Sequence, residues 1–255
     1  MKEKLLMLFF LFLVTYPYVY GQDSERQPDP KSEVKPAYGE YSRWTIGVFF
    51  GFPFMSGDLS SFSSGKTYFG GSGSLVLGYQ LNPLFGLDLS FETGRNKLGS
   101  PDYAENYILG PDAMTYYPPT TISGTLYSDL YSKVNFSQFG VGVSLNLNHL
   151  FTKRSPQLWM VLLQPKVYAQ HFNPSVCAKS DDQEVTGSYN GKSWNIGLGG
   201  DIALRARISQ YFDAQLSGGV TWIENNFFDG VETVSRAKDS YMIEVKIGLI
   251  YKFQK

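Results

Sequence analysis

Residues 241–253 read Tyr-Met-Ile-Glu-Val-Lys-Ile-Gly-Leu-Ile-Tyr-Lys-Phe. Tyr241, Ile243, Val245, Ile247, Leu249, Tyr251 and Phe253 fall on every second position, against Glu244, Lys246, Gly248 and Lys252. A period of two sends alternate side chains to opposite faces of an extended strand, whereas a helix would spread both sets around its circumference. One face of this strand is bulky and apolar. The other is small or charged.

Seven earlier segments repeat the pattern. Trp44, Ile46, Val48, Phe50 and Phe52 alternate with Thr45, Gly47 and Gly51, and Leu75, Leu77 and Tyr79 with Ser74, Gly78 and Gln80. Phe85, Leu87, Leu89 and Phe91 alternate with Asp88, Ser90 and Glu92, and Phe139, Val141, Val143 and Leu145 with Gln138, Gly140 and Gly142. A weaker fifth segment sets Trp159, Val161, Leu163, Val167 and Ala169 against Gln164 and Lys166. In the sixth, Trp194, Ile196, Leu198 and Ile202 oppose Asn195, Gly197, Asp201, Arg205 and Arg207; in the seventh, Phe212, Leu216, Val220 and Trp222 oppose Asp213, Gln215 and Ser217. Segments of about ten residues suffice for tilted strands to cross a bilayer.

The connections alternate in length. Residues 81–84 and 209–210 are tight links and 148–157 a moderate one, whereas 53–66, 95–130, 171–192 and 224–239 are long and polar. Short turns at one end and long loops at the other are the asymmetry of a membrane barrel. The sequence therefore predicts an all-β fold: an eight-stranded antiparallel up-and-down transmembrane β-barrel over residues 42–255.

Period two does not itself say which face is outside, since a soluble exported barrel binding an apolar ligand also alternates. Size decides for the membrane: Trp, Phe, Tyr, Leu and Ile are too bulky to line eight strands, while Gly, Ser and Thr let the interior close. Asp88, Glu92, Lys166, Asp201, Arg205, Arg207, Asp213, Glu244 and Lys246 then become a candidate interior charge network, because buried charges need partners. Aromatic residues near the segment ends suit two interfacial girdles.

Composition agrees. The 255 residues are 43% hydrophobic and 16% aromatic, so the apolar content is ample. A mean hydropathy of −0.18 argues only against helical spans, because half of each strand faces inward. A net charge of −1 gives no electrostatic case for nucleic acid, and one Cys with two His argues against a disulfide framework or a His-rich metal site. Lys2 and Lys4 before the apolar run 5–14, ending near Gly21, predict a signal peptide over 1–21. Residues 22–41, rich in Pro, Glu and Lys, are expected to form a flexible periplasmic tail.

These segments resemble the OmpA/OmpX-type eight-stranded outer-membrane barrels, in particular the outer membrane protein beta-barrel domain group of Bacteroidetes. The resemblance is carried by Gly78-Tyr79-Gln80-Leu81-Asn82-Pro83 and by the end of the chain, where Lys246, Gly248, Tyr251 and Phe253 match the family's assembly signal. Gln254 and Lys255 follow, where many relatives end on the aromatic residue. The resemblance implies a bacterial outer-membrane location and recognition by the barrel-assembly machinery. It also implies contact with outer-membrane lipid and lipopolysaccharide. A wall-tethering role is not expected.

For chemistry the residues offer little. His171 is placed at the start of a loop near Asp181 and Asp182, but residue 173 is Asn, so the His-any-Ser pairing of lipid A deacylases is missing. His149 reads as solvated, and Cys177 as an inert loop thiol or an exposed one. Gly197-Leu198-Gly199-Gly200 lies in a strand, not before a helix, so it is no nucleotide loop. Tyr103, Tyr107, Tyr116 and Tyr117 in the longest loop are candidate binding residues or loop packing. No catalytic, cofactor or metal set is expected. The leading expectation is a non-enzymatic outer-membrane barrel with a structural or loop-binding role. A subunit of a secretion or nutrient-uptake complex and a lipid A-modifying barrel are the alternatives within the same fold.

Overall fold

The computed structural model describes residues 43–63, 66–100, 107–112, 114–116, 124–151, 158–185, 194–224, 227–233 and 240–253. The expected signal peptide and tail, and Tyr103 and Tyr117, lie outside these residues. Eight long strands follow in order: β1 Trp44–Ser56, β2 Gly71–Gln80, β3 Phe85–Gly99, β4 Leu130–Asn146, β5 Trp159–Ala178, β6 Trp194–Arg207, β7 Phe212–Ile223 and β8 Ser240–Lys252. Each pairs antiparallel with its neighbours in sequence, and β8 pairs with β1 to close the barrel. Closure gives each of the eight strands a partner on both sides.

Cross-strand partners run from Ile46 through Leu77, Leu89, Val141, Val167, Leu198, Trp222 and Tyr241, returning to β1 at Ser56, ten residues further on. A stagger of ten over eight strands corresponds to a tilt of about 40°. At about 3.4 Å per residue, the ten steps from Trp44 to Phe54 then climb roughly 25 Å along the barrel axis.

The tight links are closed by side chains. Asn82 Oδ1 accepts from the backbone N–H of Leu84 (2.9 Å) and Phe85 (2.8 Å), so the β2–β3 turn is built on an Asn. Ser209 Oγ does the same for Tyr211 (3.2 Å) and Phe212 (3.0 Å) between β6 and β7. Between β4 and β5 the short helix α1, Leu147–Phe151, begins the moderate link.

At the opposite end the sequence places the loops too early. β1 continues to Ser56, β3 to Gly99 and β5 to Ala178, while β4 begins at Leu130, well before Gln138. His171 and Cys177 are therefore strand residues, not loop residues. The period of two persists, but the apolar face changes sides. Phe91, Phe139 and Val141 point outward and are exposed, whereas Leu98, Val134, Phe136, Phe172 and Val176 point inward and are buried.

These inward residues join Met55, Leu130, Ile223 and Met242 from the strands, and Leu59, Leu109, Tyr127, Phe228 and Val231 from the connections, in one apolar cluster. The cluster fills the upper end of the barrel as a cap. Short strands at Ile108–Leu109, Met114–Tyr116, Thr125–Leu126 and Glu232–Thr233 form a small sheet in these connections, and Phe62–Ser63 pairs with Lys66–Thr67.

Candidate functional site

The lower and middle lumen is filled and mainly polar, with Phe49, Leu162, Tyr168 and Ile250 packed among the polar groups. Lys246 Nζ, from β8, lies 3.1 Å from Glu92 Oε2 on β3 and 2.9 Å from Glu244 Oε2 on its own strand. Glu92 also accepts from Gln138 Nε2 (3.0 Å), and Gln138 from Gln170 (2.9 Å), while Ser72 donates to Glu244 (2.5 Å). Lys166 meets Asp201 at 2.5 Å. Gln164 donates to Asp88 (3.0 Å), and Arg205 Nε to Gln215 (2.9 Å), which reaches Gln164 (3.4 Å). Nearer the short-turn end, Lys252 pairs with Asp213 at 2.5 Å.

Of the inward charges of the sequence, Lys166 and Asp201 pair, Glu92, Glu244 and Lys246 cluster, Asp213 pairs with the additional Lys252, and Asp88 and Arg205 are linked through Gln164 and Gln215. Arg207 is half-buried at the lower mouth. Lys252 and the four bridging glutamines lie on the alternation's polar face, yet their pairing depends on strand register, which composition does not reveal. The cavity lined by Thr45, Phe49, Asp88, Lys166, Arg205 and Lys246 measures about 20 Å³, room for about one water.

The four residues of the terminal pattern divide by face. Lys246 and Gly248 point into the lumen, where Gly248 backs directly on the Phe49 ring and the Val48 carbonyl of β1. Tyr251 and Phe253 point outward and meet edge to face at 5.1 Å, with Phe212 5.4 Å from Tyr251. With Trp44 against Tyr79 (4.7 Å), they form an aromatic ring around the lower outer rim. Trp194, Trp222 and Tyr241 mark the upper one.

The cap carries the second polar cluster. Asp229 is fully buried, and its two oxygens accept from the backbone N–H of Leu59 (2.7 Å) and Val231 (3.2 Å). Burial, and then the nearby Asp58 carboxylate, push the Asp229 carboxyl well above the usual range. Tyr127 donates to the Asp58 carbonyl (2.6 Å), and burial raises its phenol too, with the charges of Asp229 and Asp58 adding to it. Tyr107 packs against this core, 6.4 Å edge-on to Tyr127, so it holds the loop together. Tyr116 donates its hydroxyl to Asp112.

Along the outer rim, His171 lies across from Ser137 and against Trp194, the two rings 5.4 Å apart. Ser137 Oγ is 3.2 Å from Thr93 Oγ1 on the opposite side. Cys177 is buried opposite Tyr131, which corrects the reading of an exposed thiol. His149 sits in α1.

The strand ladder, outward apolar belt and filled polar lumen define a closed eight-stranded antiparallel β-barrel. No family model and no curated protein matches the chain. Solved structures that align with it include Neisserial surface protein A, at 14% identity over 84% of this chain and 100% of that one, with a TM-score of 0.46. Ail, the attachment invasion locus protein of Yersinia pestis, aligns at 12% identity over 84% and 100% (TM-score 0.44). The outer membrane protein OprG of Pseudomonas aeruginosa aligns at 10% over 84% and 98% (TM-score 0.44).

Proposed function

We propose that this protein is an integral barrel of a bacterial outer membrane, non-enzymatic, with a structural or binding role exercised through its capped extracellular end. The observation that carries this reading is the exchange of faces along single strands. Over roughly 25 Å the outside is apolar and the inside mainly polar, with Phe49, Leu162, Tyr168 and Ile250 set among the charges; above it the outside is mainly polar and the inside mainly apolar. A strand wholly in water has no reason to make that exchange. A polar lumen is also the reverse of a soluble barrel built around an apolar ligand.

The non-enzymatic reading is supported by the rim. The Ser137 hydroxyl is paired with that of Thr93, and the His171 ring packs against Trp194. A nucleophile and base need to be hydrogen-bonded to each other. The filled lumen favours a sealed wall over a channel.

The test is extraction and gel mobility of the full chain expressed in a Gram-negative host. It is expected in the outer-membrane fraction, soluble only with detergent, and running at different positions boiled and unboiled. Release as a detergent-free soluble protein with a single gel position would defeat the membrane reading. Unchanged lipid A mass profiles in cells with and without the protein would support the non-enzymatic one, and a shifted profile abolished by His171→Ala would overturn it.

A further inference from the structure

Outward positions just above the apolar belt are polar in a particular way. Thr93, Arg95 and Lys97 on β3, Lys133, Asn135 and Ser137 on β4, and His171, Asn173 and Ser175 on β5 form three successive cross-strand rows. The first row ends at Trp194, which sets it at the height of the upper aromatic rim. Three fixed cations and no carboxylate occupy these rows.

Lys97 and Lys133 are direct cross-strand partners, an arrangement that like charges normally make unfavourable. Both ammonium groups lie over the ring of Tyr131, at 3.7 and 5.4 Å from its centre. Asp182, at the tip after β5, offsets Lys133 alone, at 3.1 Å and largely exposed to water. Arg95 is fixed through its Nε to Asn135 Oδ1 at 2.8 Å.

Space accompanies the charge. An open groove of about 540 Å³ is lined by Thr93, Arg95, Asn135, Ser137, His171 and Asn173. Beside it, the outward positions of β2 are Gly71 and Gly73, where an added methyl would touch nothing within 4 Å. Below it on the same face lies an apolar furrow of about 340 Å³, walled by Leu75, Leu77, Leu89, Phe91 and Val141.

We infer that this face is a binding site for a phosphorylated glycolipid of the outer leaflet. Its phosphate sits among Arg95, Lys97 and Lys133, and an acyl chain lies along the furrow beneath. A phosphate relieves the repulsion between Lys97 and Lys133, and Arg95 supplies donors that match its oxygens. The polar groove lies where a headgroup lies, and the furrow where hydrocarbon does. This inference deepens the membrane reading above and depends on it.

The test titrates the detergent-solubilised full chain with bis-phosphorylated lipid A, with the same lipid after phosphatase treatment, and with inorganic phosphate. The intact lipid is expected to bind at least about tenfold tighter than the dephosphorylated form, with affinity falling as salt rises. Arg95→Ala/Lys97→Ala/Lys133→Ala is expected to lose roughly a hundredfold in affinity while keeping its boiled-versus-unboiled gel shift. Should the triple variant fail to fold, Lys97→Gln, which removes one of the three cations and with it the like-charge contact, is expected to fold and lose about fivefold.

Equal affinity for the two lipid forms, or unchanged affinity in the folded variants, overturns the site. Inorganic phosphate that binds as tightly as the intact lipid assigns the groove to a free anion instead and overturns the lipid. A chain that never enters detergent micelles defeats the membrane reading itself, a different failure from that of a micellar barrel indifferent to phosphate.

Discussion

Lys246 and Glu92 are 154 residues apart in sequence and 3.1 Å apart in the lumen, tying β8 to β3 across the interior of the barrel. Glu244 shares the same ammonium, so one lysine serves two buried carboxylates. Removing one partner of a buried ion cluster leaves charge without compensation, at a cost of about 3–5 kcal/mol. Lys246→Met is therefore expected to lower the urea midpoint of the vesicle-inserted barrel, and adding Glu92→Gln to that variant to restore part of the loss. Midpoints that do not distinguish Lys246→Met from the parent would show that the cluster carries no stability.

Ile247, next along the strand, points the other way and is 57% exposed on the outer face, near the middle of the apolar belt. An arginine at the centre of a bilayer costs a barrel about 2–4 kcal/mol, whereas on a water-facing strand it would be harmless. Ile247→Arg is expected to slow insertion into vesicles and lower stability there. Lipid-accessible labels at Leu198 and Val245 are expected to contact hydrocarbon, and labels at Glu244 are not. Equal labelling of both faces would contradict the assigned outside.

Gly248 makes a different prediction from that of a recognition motif alone. A methyl at Gly248 collides with the Val48 carbonyl and the Phe49 ring. Overpacking of this kind costs about 1–3 kcal/mol. Gly248→Ala is expected to impair refolding into vesicles without any assembly machinery, while Gly73→Ala, facing open space, refolds normally. If Gly248→Ala refolds normally in vesicles and fails only in cells, the glycine serves recognition and not packing.

The cap has its own pH dependence. Asp229 carries a raised folded pKa, so it keeps its proton in the folded cap after the unfolded chain has released its own. Its contribution to stability is therefore greatest at acidic pH and is lost as pH rises from the ordinary carboxylate range through the raised value. Hydrogen exchange over 57–61 and 227–231, corrected for intrinsic rates, is expected to quicken across that window. Asp58→Asn is expected to flatten the change, since Asp58 is one of its causes. Exchange that slows as pH rises would reverse the argument.

Phe228 tests whether the cap is separable from the wall. It is fully buried and meets Phe172 edge-on at 5.6 Å. Phe228→Ala is expected to cost about 3–5 kcal/mol of local packing, opening the loops to protease while the unboiled gel position stays unchanged. Loss of the barrel band along with the loops would show one cooperative unit.

The eight strands were legible because each carries a long run of one phase, as from Tyr241 to Phe253. Their upper halves were not. Phe136 and Phe139 are both apolar, yet they stand three apart and face opposite sides, so the apolar series breaks phase between them. The inward charges could be read from the same polar face that contained them. Their partners could not, because Lys252 finds Asp213 only through the β7–β8 register. The cap was illegible for a related reason: Leu59, Tyr127, Phe228 and Val231 come from three separate connections, and no local period links them.

The exchange of faces between Phe136 and Phe139 also sets how deep the molecule rides. A slide of the barrel along its axis would drown Arg95 and Lys97 in hydrocarbon or strand Phe91 and Phe139 in water, so either displacement is opposed. The strands carry their own waterline.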